Sequence, residues 1–195
     1  LILITLVLWL TVSPIQAGKF NRQLTPGDAA PGFTDLTGID DQRHSLADYR
    51  DAKLVVLVFT CNHCPVAKVY EERLVGIAHE YEQRGVQFVA INASRTEADT
   101  LDGMKERAKE SGYNFPYLRD ASQAVARAYG VRVTPEIFVL DRERRVAYQG
   151  AVDDHLDAPK VKHAYLRDAL EVLLADKQPE TVETRPKGCA MTYEP

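Results

Sequence analysis

Leu54-Val55-Val56-Leu57-Val58-Phe59-Thr60-Cys61-Asn62-His63-Cys64-Pro65 is the stretch whose reading decides the fold. Six apolar residues without polar alternation read as a strand buried on both faces, as in the middle of a parallel sheet. Behind the second cysteine, Val66, Val69, Tyr70, Leu74, Ile77, Ala78 and Tyr81 recur at helical spacing, and Gly85 suits the position just past the helix end. The strand therefore delivers Cys61 to a helix start, where free backbone N–H groups and the positive dipole end gather. A thiol placed there is expected to ionise more easily, and the thiolate is the nucleophile. Two cysteines one helical turn apart can exchange one disulfide for two thiols, so the tetrad reads as a redox site.

Outward from this block the elements alternate. Val86 to Ile91 is the next buried strand, Thr100 to Ser111 a charged amphipathic helix, and Phe115 to Leu118 a short extended segment. A helix over Ser122 to Tyr129 follows. Ile137 to Leu140 and Arg145 to Gln149 pair as a hairpin about a polar turn, and Lys162 to Ala175 is the last helix. Towards the N-terminus, Phe33 to Leu36 reads as a strand and turn, and His44 to Tyr49 as one helical turn opened by Ser45 with Asp48 in the capping-box position. The first crossover implies parallel pairing and the closing hairpin an antiparallel edge. The expected fold class is α/β, a central mixed β-sheet flanked by helices on both faces, with an N-terminal β-hairpin extension and an inserted helix.

With 195 residues and 45% hydrophobic content, the chain can bury the core of one such domain. A net charge of −4 without a basic block argues against nucleic acid as a partner. Residues 1–17 stand apart. Leu1 to Leu10 are apolar except Thr5, and Ile15-Gln16-Ala17 forms a small-residue cleavage point, as in a signal peptide. The run has neither a positive flank nor an initiating Met, so its start reads as cut short. It is also shorter than the roughly 20 apolar residues of a spanning helix. The expected organisation is a leader over 1–17, a domain over 18–178 and a C-terminal tail over 179–195 carrying Cys189. Export to a secreted or periplasmic location follows, with an uncleaved anchor as the alternative and no stable membrane span after processing. Three cysteines cannot all pair within one chain. Cys61 and Cys64 form the expected pair, and Cys189 is left over as a third redox thiol, an intermolecular partner or an idle tail thiol.

The order of strand, C-x-x-C, long helix and Thr134-Pro135 before an apolar strand resembles the thioredoxin-like superfamily, in the branch shared by peroxiredoxin-like and TlpA-type redoxins. Pro31-Gly32-Phe33 through Tyr49, Pro116 to Asp120, Val152-Asp153-Asp154 and Gly188-Cys189 carry the same resemblance. It implies a thioredoxin-like fold, with Pro135 as the cis-proline facing the cysteines and Thr134 offering its backbone to a substrate chain. Within that frame Cys61, at the strand exit, is the expected solvent-accessible attacking thiol. Cys64, one turn in, is the expected resolving thiol. His63, when charged, would favour the Cys61 thiolate and so the reduced dithiol. The implied activity is thiol-disulfide exchange on protein or small thiol and disulfide substrates. It needs no bound cofactor, and a redox partner recycles the disulfide.

Two rivals remain. A peroxiredoxin-like antioxidant peroxidase would need P-x-x-x-T/S-x-x-C. Counted back from Cys64, those positions hold Leu57 and Cys61; from Cys61 they hold Leu54 and Val58. A copper-handling module would recruit a distant His such as His155. No metal site is expected, because zinc asks for four N or S ligands and the pair supplies two. His155 near Asp153, Asp154 and Asp157 reads as part of an acidic loop.

Overall fold

The computed structural model describes residues 18–195. The leader expected over residues 1–17 lies outside them. The elements in chain order are β1 (Leu36–Gly38), β2 (Arg43–His44), β3 (Leu54–Phe59), α1 (Pro65–Glu82), β4 (Val86–Asn92), α2 (Leu101–Glu110), β5 (Tyr117–Arg119), α3 (Ala124–Ala128), β6 (Val133–Thr134), β7 (Glu136–Leu140), β8 (Val146–Gly150), α4 (Tyr165–Leu174) and β9 (Cys189–Ala190). Short 3-10 turns cover Leu46–Tyr49, Glu97–Asp99 and Ala158–Lys160.

Seven strands form one mixed sheet in the order β2-β1-β5-β4-β3-β7-β8. β3, β4 and β5 are parallel, while β1, β7 and β8 run antiparallel to their neighbours. β3 lies inside the sheet between β4 and β7, and all six of its side chains are buried. Successive side chains point to opposite faces. Leu54, Val56 and Val58 pack with Tyr70, Leu74 and Ile77 of α1, Met104 of α2 and Leu166 and Leu170 of α4. Val55, Leu57 and Phe59 pack with Val125 and Ala126 of α3, Tyr129, and Leu24 and Phe33 of the N-terminal segment. Both faces are covered by helices, and the sheet is the thioredoxin-like one.

The N-terminal extension is an antiparallel pair, β1 with β2, whose strand begins at Leu36. Phe33, expected within it, is instead a buried residue of the core. The helix expected over Ser122 to Tyr129 is only Ala124–Ala128, because Gln123 takes a left-handed backbone (φ 62°) just before it. A larger difference lies in the tail. Pro179 to Pro195 shows no periodicity, yet β9 pairs antiparallel with β6, in the register Val133 with Ala190 and Thr134 with Cys189. Two residues of strand leave no sequence pattern; the pairing is set by the edge they meet and by a covalent bond.

Candidate active site

The site forms where β3 ends and α1 begins. Cys64 is the residue that caps α1, its sulfur accepting the Ala67 N–H at 3.4 Å, with Pro65 in the first turn where its missing N–H costs nothing. The peptide bond between Thr134 and Pro135 is cis. This turn places Thr134 against both cysteines. Cys61 Sγ is hydrogen-bonded to Thr134 Oγ1 at 3.1 Å, and Cys64 Sγ lies 3.2 Å from the Thr134 carbonyl oxygen. The residues singled out from sequence, Cys61, His63, Cys64, Thr134, Pro135 and Cys189, thus converge on one spot.

Their connectivity differs from expectation. The disulfide joins Cys64 to Cys189, across 125 residues of chain and a Cα separation of 5.9 Å, and Cys61 is a free thiol. The anticipated Cys61–Cys64 bond is absent in this form because β9 brings the third thiol to the same edge. Nor is Cys61 solvent-accessible. Only 2% of it is exposed, since Thr134 and the tail cover the strand exit. Burial pushes its thiol pKa up, and the nearby Asp99 carboxylate adds to this. The Thr134 hydroxyl and the backbone N–H groups of Cys64 and His63 pull the other way without prevailing. The helix start does offer the expected donors, but desolvation outweighs them.

His63 bridges Cys61 to a residue the sequence did not disclose. Its Nδ1 lies 2.6 Å from Asp99 Oδ2, and its Nε2 lies 3.9 Å from Cys61 Sγ. Asp99 is fully buried. Burial would raise its pKa, but hydrogen bonds from Thr96, Asn92, the Asn62 N–H and His63 together lower it, so it is held ionised. A carboxylate only accepts, so the His63 nitrogen facing it carries a proton, and Nε2 is the ring nitrogen turned towards the thiol. This is the geometry of a cysteine, its base and the group orienting that base. Among the described residues, Cys61, His63 and Asp99 also group closely enough to share a cation. Asp99 Oδ1 is already occupied by the Asn62 N–H and Asn92 Nδ2, and Oδ2 by Thr96 and His63. His155, the candidate distant ligand, is engaged within its own loop by Asp157.

Asn62, Asn92 and Tyr117 complete the polar support. Tyr117 OH donates to Asn62 Oδ1 at 2.9 Å, and Asn92 Nδ2 donates to that hydroxyl at 2.8 Å. Asn92 is the last residue of β4, and Asp99 closes the short 3-10 turn that follows it. Their one sequence signal was position, at the carboxyl end of a buried strand beside the one carrying the cysteines. The Asp153-Asp154 pair has a structural role. Asp153 is buried and paired with Arg73 and the Tyr70 hydroxyl, while Asp154 accepts backbone N–H groups of Lys162 and His163. A pocket of about 210 Å³ opens over Cys61, walled by His63, Ser94, Arg95 and Thr134 and by Met191 of the tail.

A protein-family model described as Redoxin matches residues 25–165. The chain belongs to the redoxin family. A hypothetical protein from Sinorhizobium meliloti 1021 shares this redoxin's structure with a TM-score of 0.83 and 35% identity, covering 89% of this chain and 97% of that one. An uncharacterised conserved protein from Geobacillus kaustophilus matches with a TM-score of 0.83 and 34% identity, over 90% and 95% of the two chains. Among curated relatives, thiol-disulfide oxidoreductase ResA of Geobacillus thermodenitrificans is 31% identical over 123 residues, 62% of this redoxin. The match spans 66% of that relative's length, slightly under two thirds. ResA of Bacillus subtilis is 27% identical over 146 residues.

Proposed function

We propose that this redoxin is a thiol-disulfide oxidoreductase whose exchange centre is the Cys61–Cys64 pair, with Cys189 as a third redox thiol. One observation carries the reading. A disulfide, a free thiol and a cis-proline edge meet at the start of one helix, so a bond can pass between sulfurs without rebuilding the fold. The curated relatives named thiol-disulfide oxidoreductase support it. His63, Thr134 and Pro135 support the chemistry: the imidazole takes and returns the Cys61 proton, and the edge presents a partner chain. The disulfide itself carries the electrons. Substrates are protein or small thiols and disulfides, and a further redox partner restores the starting state. Residues 1–17 act as an export signal, residues 18–178 form the exchange domain, and the tail from 179 delivers Cys189. A disulfide carried between turnovers fits an oxidising compartment. Among the described residues no helix is long and apolar enough to cross a membrane.

Exchange with a small dithiol tests the proposal. The oxidised chain is expected to accept electrons from dithiothreitol, and Cys64→Ser is expected to abolish this. Fast hydrogen peroxide consumption, lost in Cys61→Ser and kept in Cys64→Ser, would replace this reading with a thiol peroxidase.

A further inference from the structure

The tail crosses the site as a substrate chain would. β9 pairs antiparallel with the edge that precedes Pro135, and the Met191 N–H extends the ladder to the Arg132 carbonyl at 2.9 Å. Gly188 fits where nothing larger does. A Cβ there would lie 2.0 Å from the Thr134 carbonyl oxygen and 2.5 Å from its carbon, both backbone atoms, so the crossing itself would have to shift to admit a side chain. The tail is anchored on both sides of this crossing. Upstream, the Thr184 hydroxyl takes the Ala151 N–H at 2.9 Å and bonds the Tyr148 hydroxyl at 2.6 Å. Downstream, the Tyr193 hydroxyl donates to the Val131 carbonyl at 2.7 Å, and Gln123 bonds the backbone of Thr192 and Glu194. Cys189 is thereby presented to Cys64 at a high effective concentration. The Cys64 sulfur, at the start of α1, bears the bond to β9, and the free thiol beside it is Cys61, with His63 facing it.

We propose that the tail occupies the Thr134 edge as a built-in substrate, that this occupancy selects clients with Gly before the reacting Cys, and that Cys64 bonds the docked cysteine while Cys61 releases it. This rests on the exchange function proposed above and reverses the roles that chain order suggests for the two cysteines.

The internal step balances without an outside oxidant or reductant. Cys61 passes its proton to His63 and attacks Cys64 Sγ. The Cys61–Cys64 bond forms, the Cys64–Cys189 bond breaks, and Cys189 leaves as a thiolate that takes up a proton. β9 is then held at the edge by its non-covalent pairing and anchors alone, which a client strand can displace. A client thiolate entering at the edge attacks Cys64 Sγ, forming the client–Cys64 disulfide, and Cys61 leaves and is reprotonated by His63. A tethered thiol competes at roughly millimolar effective concentration, so a client at micromolar concentration is held off while Cys189 is in place.

Two peptides copying residues 185–192 test this, one with Gly-Cys and one with Ala-Cys at positions 188 and 189. Each is reacted with oxidised Cys189→Ser protein and with oxidised wild type, quenched in acid, alkylated and mapped after trypsin. Trypsin separates residues 54–68, which carry Cys61 and Cys64, from 188–195, which carry Cys189. In the variant, the Gly-Cys peptide is expected on Cys64, at least about tenfold faster than the Ala-Cys peptide and about tenfold faster than in wild type. Oxidised wild type alone is expected to give both the 54–68/188–195 cross-link with Cys61 alkylated and the internal Cys61–Cys64 form, which needs no variant to fold. Capture on Cys61, equal rates for the two peptides, or a wild type as fast as the variant would overturn the proposal. If dithiothreitol still exchanges with the oxidised variant in that case, the oxidoreductase reading stands and only the docking site falls.

Discussion

Each oxygen of Asp99 has two partners, and one of the four is the ring that faces Cys61. Asp99→Asn keeps the shape and replaces one acceptor with a donor. Facing that amide, the His63 ring would carry its proton on Nε2 and could no longer receive one from the thiol. In the fully reduced protein, iodoacetamide alkylation of Cys61 is expected to slow by at least about tenfold near neutral pH, even though removing the carboxylate takes away one cause of the raised thiol pKa. An unchanged rate would show that Asp99 only fills space. Stability should also fall by about 1–3 kcal/mol, since buried donors lose their acceptor. Because the Asp99 pKa is lowered, its contribution is present above the ordinary carboxylate range and lost as pH falls through the lowered value. Cys61, His63 and Cys64 were legible because chemistry packed into four consecutive residues needs no fold to assemble it. Asp99 was not, because β4 and the turn after it bring it in from 36 residues away.

At the scale of elements, the cis turn joins β6 to β7 and buries Glu136 directly behind the site. Burial raises its pKa to about 7, against weaker lowering by the Arg132 and Val133 N–H groups and the Arg132 charge. Between the ordinary carboxylate range and 7 the folded chain holds a proton that the unfolded chain has lost. Glu136 therefore contributes full stability below that range and loses the contribution as pH rises through 7. Chemical denaturation at pH 5 and pH 8 is expected to show wild type losing about 2–3 kcal/mol more than Glu136→Gln over that interval. Parallel losses would contradict it. β3, β4, β7, β8, α1 and the inserted α2 were legible from apolar runs and helical spacing, which report which faces are buried, whereas β1 was placed too early and the two residues of β2 were not read as a strand. β9 was not, because its two residues are held by Thr134, Arg132 and Cys64 and not by any pattern of their own.

Over the whole molecule the Cys64–Cys189 bond ties the tail to the first helix and closes a loop of 125 residues. Loop closure of that length is worth about 5 kcal/mol of unfolded-state entropy, so reduction is expected to lower unfolding stability by up to that amount. A Cys189→Ser chain oxidised to the short Cys61–Cys64 loop should recover only part of it. Equal denaturation midpoints for oxidised and reduced wild type would show that the tail anchors alone hold it in place. The bond also makes Cys64 the hub of the site, with Cys61 and Cys189 competing for it. The most direct measurement equilibrates the full chain in dithiothreitol buffers of graded potential, traps the thiols in acid and maps the disulfides by mass spectrometry. Expected is one two-electron transition in which every oxidised molecule has Cys64 bonded, some to Cys189 and some to Cys61. Oxidised molecules with Cys64 free and Cys61 joined to Cys189, or a Cys64–Cys189 bond that never exchanges, would contradict it.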